Sequence, residues 1–362
     1  MGRHQMSARE HGFGIVGCGV IAPLHAAAIA DLDNAHLVAV ADSEASRAAE
    51  LGATLSVPDL AIDELLARPD VDVVCVCVPS GLHADVGVRA IAAGKHVLVE
   101  KPIDVTLEAA DRLLEAARAT GLRLGVISQR RWDPGVAEAR ELIAAGRLGR
   151  LLLGDAYVKW YRSDAYYASG GWRGTYALDG GGALMNQGVH HVDLLSWLMG
   201  PVESVFARTG TFAHGDIEVE DVAVALLRFR SGALGVIEAS TAVYPGLAAR
   251  LEISGTGGTL VIEDARLAVR ELKEEGGETG HYGAKVTQSA GSAGAAADPA
   301  ALMHAGHREQ IADFLAAIDE GRQPAVSGAD GRAALELVLA VYESARLGRE
   351  VTLPLASAVA TA

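Results

Sequence analysis

Gly12-Phe13-Gly14-Ile15-Val16-Gly17-Cys18-Gly19-Val20-Ile21-Ala22 is the stretch from which the fold is read. Residues 12–16 form a short apolar strand, Gly-x-Gly-x-x-Ala follows at once, and residues 23–30 read as a helix opened by Pro23. A strand, a glycine turn and a helix in this order build a dinucleotide-binding unit. The first glycine permits the tight turn. The second lets a pyrophosphate approach the main chain at the helix N-terminus, where N–H groups are free. Gly17, Gly19, Val20 and Ile21 are therefore cofactor-binding candidates. The loop alone does not select a dehydrogenase, because FAD and S-adenosylmethionine proteins also use glycine loops.

Moving outward, strands and helices alternate. Strands are predicted over 37–41, 71–78, 97–99 and 122–127, and helices over 43–51, 84–93 and 107–119. The near-continuous Val/Cys run at 71–78 has the pattern of a strand buried on both faces. Such alternation implies a parallel sheet with helical crossovers. The fold class is α/β, with a Rossmann domain over 12–130. After Trp132 the rhythm changes. Helices are expected over 134–145 and 182–198, and strands over 151–162, 202–209, 221–229, 233–240, 249–254 and 258–262. Strands in direct succession imply a large, mainly antiparallel open sheet, so 131–356 is read as an α+β domain for substrate binding and oligomerisation. Residues 271–299 are rich in Gly, Ala, Ser and acids and read as a mobile loop. Helices follow over 307–318 and 329–345, and no internal repeat is visible.

The bulk numbers narrow the function classes. At 362 residues, two domains are the natural expectation. Forty-six acids against 31 bases give a net charge of -15, which disfavours nucleic acid as a partner. The three cysteines, Cys18, Cys75 and Cys77, lack metal or disulfide spacing. No signal-peptide core and no membrane-length apolar run is present. The expectation is a soluble cytoplasmic protein with no membrane partner.

The second strand ends at Asp42, followed by Ser43. An acid here accepts hydrogen bonds from the adenosine ribose hydroxyls and repels the extra phosphate of NADP, so NAD is favoured over NADP. The alternative is that Asp42 caps the next helix. Val97-Leu98-Val99-Glu100-Lys101-Pro102 places a lysine at the carboxyl end of a parallel strand, where ligands of open α/β sheets sit. Lys101 is a candidate proton carrier; the alternative is a surface lysine.

Asp179-Gly180-Gly181-Gly182-Ala183-Leu184-Met185-Asn186-Gln187-Gly188-Val189-His190-His191-Val192-Asp193 carries the second constellation. Asn186 and His190 share a helix face, Asp193 is spaced to orient the His190 ring, and a positioned His suits a general base. The three glycines leave room for a ligand near the backbone. The alternative is a helix start with core histidines. No metal site is expected, because adjacent histidines point to different faces.

With these residues in view, the chain resembles the Gfo/Idh/MocA oxidoreductases, whose members include glucose–fructose oxidoreductase and inositol 2-dehydrogenase. The resemblance spans nearly the whole chain. It rests on the glycine loop, Glu100-Lys101-Pro102, Gly180-Gly181-Gly182 with His190 and Asp193, and Gly306-His307 with Gln310. It implies Lys101 and His190 as catalytic residues. It implies cofactor contacts from Pro79, Ser80, His83, Glu100, Lys101, Gln129, Trp172 and Arg173, beside Asp42 and Ser43. Asn186 stands where many members have Asp, so a substrate-binding role is assigned to it. Arg131, Lys159, Tyr161, Arg162, Arg173, Lys101 and His190 complete the substrate candidates. Lys159 and Tyr161 share a strand face; the alternative for both is exposed sheet surface.

The implied activity is reversible hydride transfer between NAD and a secondary hydroxyl of a sugar, sugar derivative or cyclitol. Its rivals are NAD-using glycoside cleavage through transient oxidation, and a non-catalytic NAD(P) sensor. A homodimer or homotetramer is implied.

Asp42→Ala is expected to weaken NAD binding more than NADP binding in fluorescence titrations. Equal losses for the two cofactors remove the ribose role.

Overall fold

In the computed structural model the structure describes residues 9–276 and 299–355. The N-terminal eight residues, on which the leader-peptide reading partly rests, lie outside them. The chain runs β1 (His11–Val16), α1 (Ala22–Ala30), β2 (Ala35–Ala41), α2 (Ala45–Leu55), β3 (Asp59–Leu60), α3 (Ile62–Ala67) and β4 (Val73–Val76). It continues through α4 (His83–Ala92), β5 (His96–Val99), α5 (Leu107–Thr120), β6 (Leu124–Val126) and α6 (Pro134–Ala144). Then come β7 (Leu151–Lys159), α7 (Asp164–Ala168), α8 (Val189–Met199), β8 (Val202–Gly210), β9 (Val222–Phe229) and β10 (Leu234–Ser240). The described chain closes with β11 (Arg250–Gly255), β12 (Gly258–Glu263), β13 (Arg266–Leu272), α9 (Lys273–Gly276), α10 (Pro299–Asp319), α11 (Gly328–Leu347) and β14 (Val351–Thr352).

The first sheet has six strands in the order β3-β2-β1-β4-β5-β6, every pair parallel. Its central strands are wholly buried, as a sheet covered on both faces demands. The order reverses between β1 and β4, so the carboxyl ends of these strands form the crevice where α/β sheets bind ligands. The short β3 and α3 went unseen in the sequence because neither is long enough to show a period.

The first compact unit contains the described residues up to Asp104, Ala109–Ile127 and His304–Gly331. The second contains Val105–Glu108, Ser128–Met303 and the chain from Arg332 on. A single division near residue 130 therefore misses a returning segment. Ile311, Phe314 and Leu315 are buried in the core of the first unit with Phe13, Ile15, Leu98 and Ile127. Gly125 makes room for this: a Cβ there would stand 3.0 Å from the Phe314 ring. His11 Nε2 meets Asp319 Oδ1 at 3.0 Å, and Ser327 makes an isolated antiparallel bridge to Gly125 of β6.

In the second unit eight strands run in the order β13-β12-β11-β7-β10-β9-β8-β14. All pairs are antiparallel except β7 with β10. Alternation decides the faces. Ala223, Ala225 and Leu227 of β9 are buried, while Val224 and Leu226 are exposed. The strand expected to reach 162 ends at Lys159, with Tyr161 making only an isolated bridge to Ala242. Most of the predicted loop at 271–299 lies outside the described residues. Its start is a correction, since β13 runs to Leu272 and α9 follows.

Phe314→Ala is expected to destabilise the protein by about 3–5 kcal/mol. Denaturant titration of the first unit's transition reads the change.

Candidate active site

In the first unit the glycine loop follows β1. Gly17 has φ 100°, and a Cβ on it would lie 2.5 Å from the Cys77 carbonyl carbon, so only glycine fits. At Gly19 no atom lies within 4 Å of where a Cβ would be. Packing thus explains the first glycine but not the second; the open space beside Gly19 suits a pyrophosphate. The neighbouring Val20 is 89% exposed, an apolar surface for a ligand to cover.

Asp42 closes this half-site. Its Oδ2 accepts the Cys18 N–H at 2.7 Å, and its Oδ1 accepts the Glu44 N–H at 2.8 Å. The carboxylate is thereby fixed between the loop and the approach to α2, but it caps no helical N–H, because the helix starts from Glu44 without a side-chain cap. Ser43 Oγ lies 3.4 Å from the Asp42 carboxylate. Burial, with a contribution from Asp42, pushes the Cys18 thiol up to about 11, so it is no nucleophile at neutral pH.

Pro79 and Ser80 form the turn after β4, with Ser80 buried. His83 is a correction. Its Nδ1 lies 2.7 Å from the Pro102 carbonyl oxygen and its Nε2 2.9 Å from that of Val78. Both ring nitrogens face main-chain oxygens, so the ring staples the β4 turn to the β5 turn rather than facing a cofactor. Glu100 is a second correction: its carboxylate is buried and turned inward to His25 Nε2 at 2.8 Å. Lys101 follows, half-buried, with its N–H donating to Glu100 Oε2 at 3.1 Å.

The second unit holds the other residues. Gly180-Gly181-Gly182 leads into a π-helical turn, Ala183–Gly188, and then α8. The glycines are there for protein packing, not for a ligand. A Cβ at Gly181 would lie 2.2 Å from the Tyr342 hydroxyl, and one at Gly182 would lie 1.8 Å from the Glu220 carbonyl oxygen. Glu220 is buried and accepts N–H bonds from Gly182 and Leu184 at 2.8 Å and the Tyr342 hydroxyl at 3.0 Å. It pins the whole turn.

That turn carries Asn186, whose amide donates to the buried Asp179 carboxylate. Gln187 Nε2 donates to Asn186 Oδ1 at 3.1 Å and to the Tyr166 hydroxyl at 2.8 Å. Arg162 donates to Gln187 Oε1 at 2.9 Å. Arg173 donates to the Tyr166 hydroxyl at 2.8 Å, with its guanidinium over the Tyr166 and Trp172 rings. Asn186, Arg162, Arg173 and Trp172 thus join one polar cluster. His190 stands one turn along, in α8. Asp179, Gln187 and Tyr166 were given no role by the sequence. Asp179 heads the glycine run, but nothing local says that it meets Asn186.

Other assignments change. Arg131 is buried on Asp193, at 2.9 Å through Nε and 2.5 Å through Nη2, with Ser128 Oγ on the same carboxylate at 2.5 Å. Arg131 is a structural ion pair rather than a substrate anchor, and Asp193 serves it instead of steering His190. Lys159 pairs with Glu238 at 2.6 Å, and Tyr161 stacks edge-on with Tyr244. Lys159 lies on the face of β7 opposite the buried Ala156 and Val158, and Tyr161, beyond the end of the strand, is exposed. Trp160 instead meets His191, whose pKa burial lowers to about 3. Gln129 is buried, and its Oε1 has no partner among the described residues.

Comparison with known proteins agrees in both halves. Residues 11–128 match the family model described as the oxidoreductase family, NAD-binding Rossmann fold. Residues 136–261 match the GFO/IDH/MocA C-terminal domain. Myo-inositol 2-dehydrogenase of Thermotoga maritima is 29% identical, over 94% of this chain and 98% of that protein. The 1,5-anhydro-D-fructose reductase of Ensifer adhaerens is 32% identical, over 85% of this chain and 87% of its own length. The crystal structure of the WlbA dehydrogenase from Bordetella pertussis, in complex with NADH and UDP-GlcNAcA, superposes with a TM-score of 0.83 at 34% identity. It covers 96% of this chain and 100% of that one.

Burial raises Glu220 from 4.5 to about 7, against the pull of its hydrogen bonds. Between these values the folded state holds a proton that the unfolded chain has lost, so this group's contribution to stability falls as pH rises. Glu220→Gln mimics the protonated form. Its melting temperature is expected to gain on wild type between about pH 5 and about pH 8; a constant difference rejects the assignment.

Proposed function

The chain belongs to the Gfo/Idh/MocA oxidoreductases, and from that premise we propose that Lys101 and His190 carry its hydride chemistry on a sugar, sugar derivative or cyclitol. The protein is an NAD-dependent oxidoreductase acting on CH–OH groups. The observation that carries the reading is the occurrence, in one unit, of a dinucleotide loop with Asp42 and a lysine at the carboxyl end of β5.

Each residue has a task. Main-chain N–H groups around Gly17 and Gly19 hold the pyrophosphate, with Val20 and Ile21 along the loop. Asp42 and Ser43 take the adenosine ribose. Pro79, Ser80, Gln129, Trp172 and Arg173 are assigned to the rest of the cofactor. Bound NAD supplies the hydride-accepting nicotinamide; the chain supplies position and electrostatics. His190 accepts the hydroxyl proton, and the Lys101 ammonium holds the negative charge that develops on that oxygen. Asn186, held between Asp179 and Gln187, offers its amide edge to substrate hydroxyls beside Arg162 and Arg173.

Within the sugar class, a nucleotide-linked uronate is the first substrate to test, because the Bordetella relative binds UDP-GlcNAcA. Arg162 and Arg173 are assigned to its carboxylate, since Arg131 is committed to Asp193. No helix among the described residues is long and apolar enough to cross a membrane. The three cysteines are free, which fits a reducing cytoplasm. The open face of the large sheet exposes Leu153, Leu226 and Leu234, and we assign it to a second copy of the chain in a dimer or tetramer.

Purified protein supplied with NAD and a panel of uronates, nucleotide sugars, sugars, inositols and glycosides is expected to form NADH with a member of the alcohol-bearing set. Lys101→Ala is expected to abolish turnover while NAD still binds. Glycoside cleavage without net NADH points to the transient-oxidation rival, and NAD binding without turnover of any kind points to the sensor.

A further inference from the structure

Three polar side chains that the chemistry above leaves unused meet inside the first unit. His25 on α1 and His307 on α10 are 0% exposed, and Glu100 is 7% exposed. His25 Nε2 lies 2.8 Å from Glu100 Oε1, and His307 Nε2 lies 3.5 Å from the same oxygen. The two rings pack edge to face at 5.0 Å. The second carboxylate oxygen, Oε2, accepts the Lys101 N–H.

A carboxylate is costly to bury unless donors surround it. Burial pushes Glu100 up, but the His25 hydrogen bond and the nearby His307 ring together outweigh it and hold the carboxyl well below its ordinary range. His25 is held neutral: burial lowers its pKa, and its Nδ1 is buried with no partner among the described residues. A proton on Nδ1 would be an unsatisfied donor, so the neutral ring carries its proton on Nε2 and donates it to Glu100. The ligand atoms of the same three groups lie within 4.8 Å of one another, close enough to surround a metal ion. The 2.8 Å contact argues for a shared proton instead. Two donors on a tetrahedral zinc, each at about 2.0–2.1 Å, stand about 3.3 Å apart.

We propose that His25, Glu100 and His307 form a positioning triad that sets the main chain at Lys101 and ties it to the helix following the glycine loop. The path is short: α1 carries His25, His25 holds Glu100, and Glu100 holds the Lys101 N–H. His307 arrives from the segment that returns to this unit near the end of the chain. The proposal rests on the reading of Lys101 as catalytic.

The test uses the full-length enzyme and its identified alcohol substrate. Glu100→Gln and His25→Leu are expected to lower kcat about ten- to a hundredfold, with the substrate KM and NAD affinity largely kept. His25→Gln, which keeps an N–H donor at similar reach, is expected to recover much of the loss. The double variant His25→Leu/Glu100→Gln is expected to lose no more than the worse single variant, as for groups acting as one unit. Activity is scaled to the folded fraction measured by circular dichroism and NAD binding. Unchanged kcat per folded site in both single variants, beside an inactive Lys101→Ala, overturns the triad and leaves the Lys101 reading intact. An active Lys101→Ala sinks both. Stoichiometric zinc in the purified protein, lost in Glu100→Gln, overturns the triad in favour of a metal site.

Discussion

The close approach of Gly17 to the end of β4 is the constraint on which the first unit's site depends. With φ 100° and a would-be Cβ 2.5 Å from Cys77, the backbone turns where any side chain would collide. That turn aims the N-terminus of α1 across the carboxyl ends of the central strands, where Asp42 then receives the Cys18 N–H. The same strand ends deliver Glu100 and Lys101 from β5. The loop thus sets an open patch of main chain beside Asp42, at the strand ends from which Glu100 and Lys101 also emerge.

Buried carboxylates do much of the organising elsewhere. Glu220 holds the N–H groups at the start of the π-helical turn. Asp221 accepts the N–H groups of Phe212, Ala213 and His214. The His214 Nε2 in turn lies 2.8 Å from the Arg162 carbonyl oxygen, so the segment after β7 that presents Arg162 is anchored through a histidine. Asp193 holds Arg131, and Asp179 holds Asn186. An acidic chain spends part of its excess negative charge as internal acceptors for loops that have no sheet or helix to satisfy them. The consequence for chemistry is that Asn186 has an acid as its neighbour without being one.

Much of this was legible in the sequence, and the failures have a pattern. The parallel sheet, the open antiparallel sheet and the glycine loop follow from periods of two and 3.6 and from turn residues, all local signals. The misassigned residues are ones whose partners lie far along the chain. Arg131 finds Asp193, His83 finds Pro102, and Gly181 finds Tyr342. Lys159 and Tyr161 were expected on one strand face, but β7 ends at Lys159, and which face of a strand is buried depends on the neighbouring elements.

The sequence by itself determined the two folds, the cofactor loop, the identity of Asp42 as the acid at the end of β2, and the positions of Lys101 and His190 that mark the family. Only the tertiary structure decided which polar groups meet: the return of residues 304–331 to the first unit, the His25–Glu100–His307 cluster, and the hold of Asp179 on Asn186. The reason is physical. Secondary structure follows from neighbours a few residues apart, whereas a buried hydrogen bond depends on directions and distances that exist only once distant segments have packed.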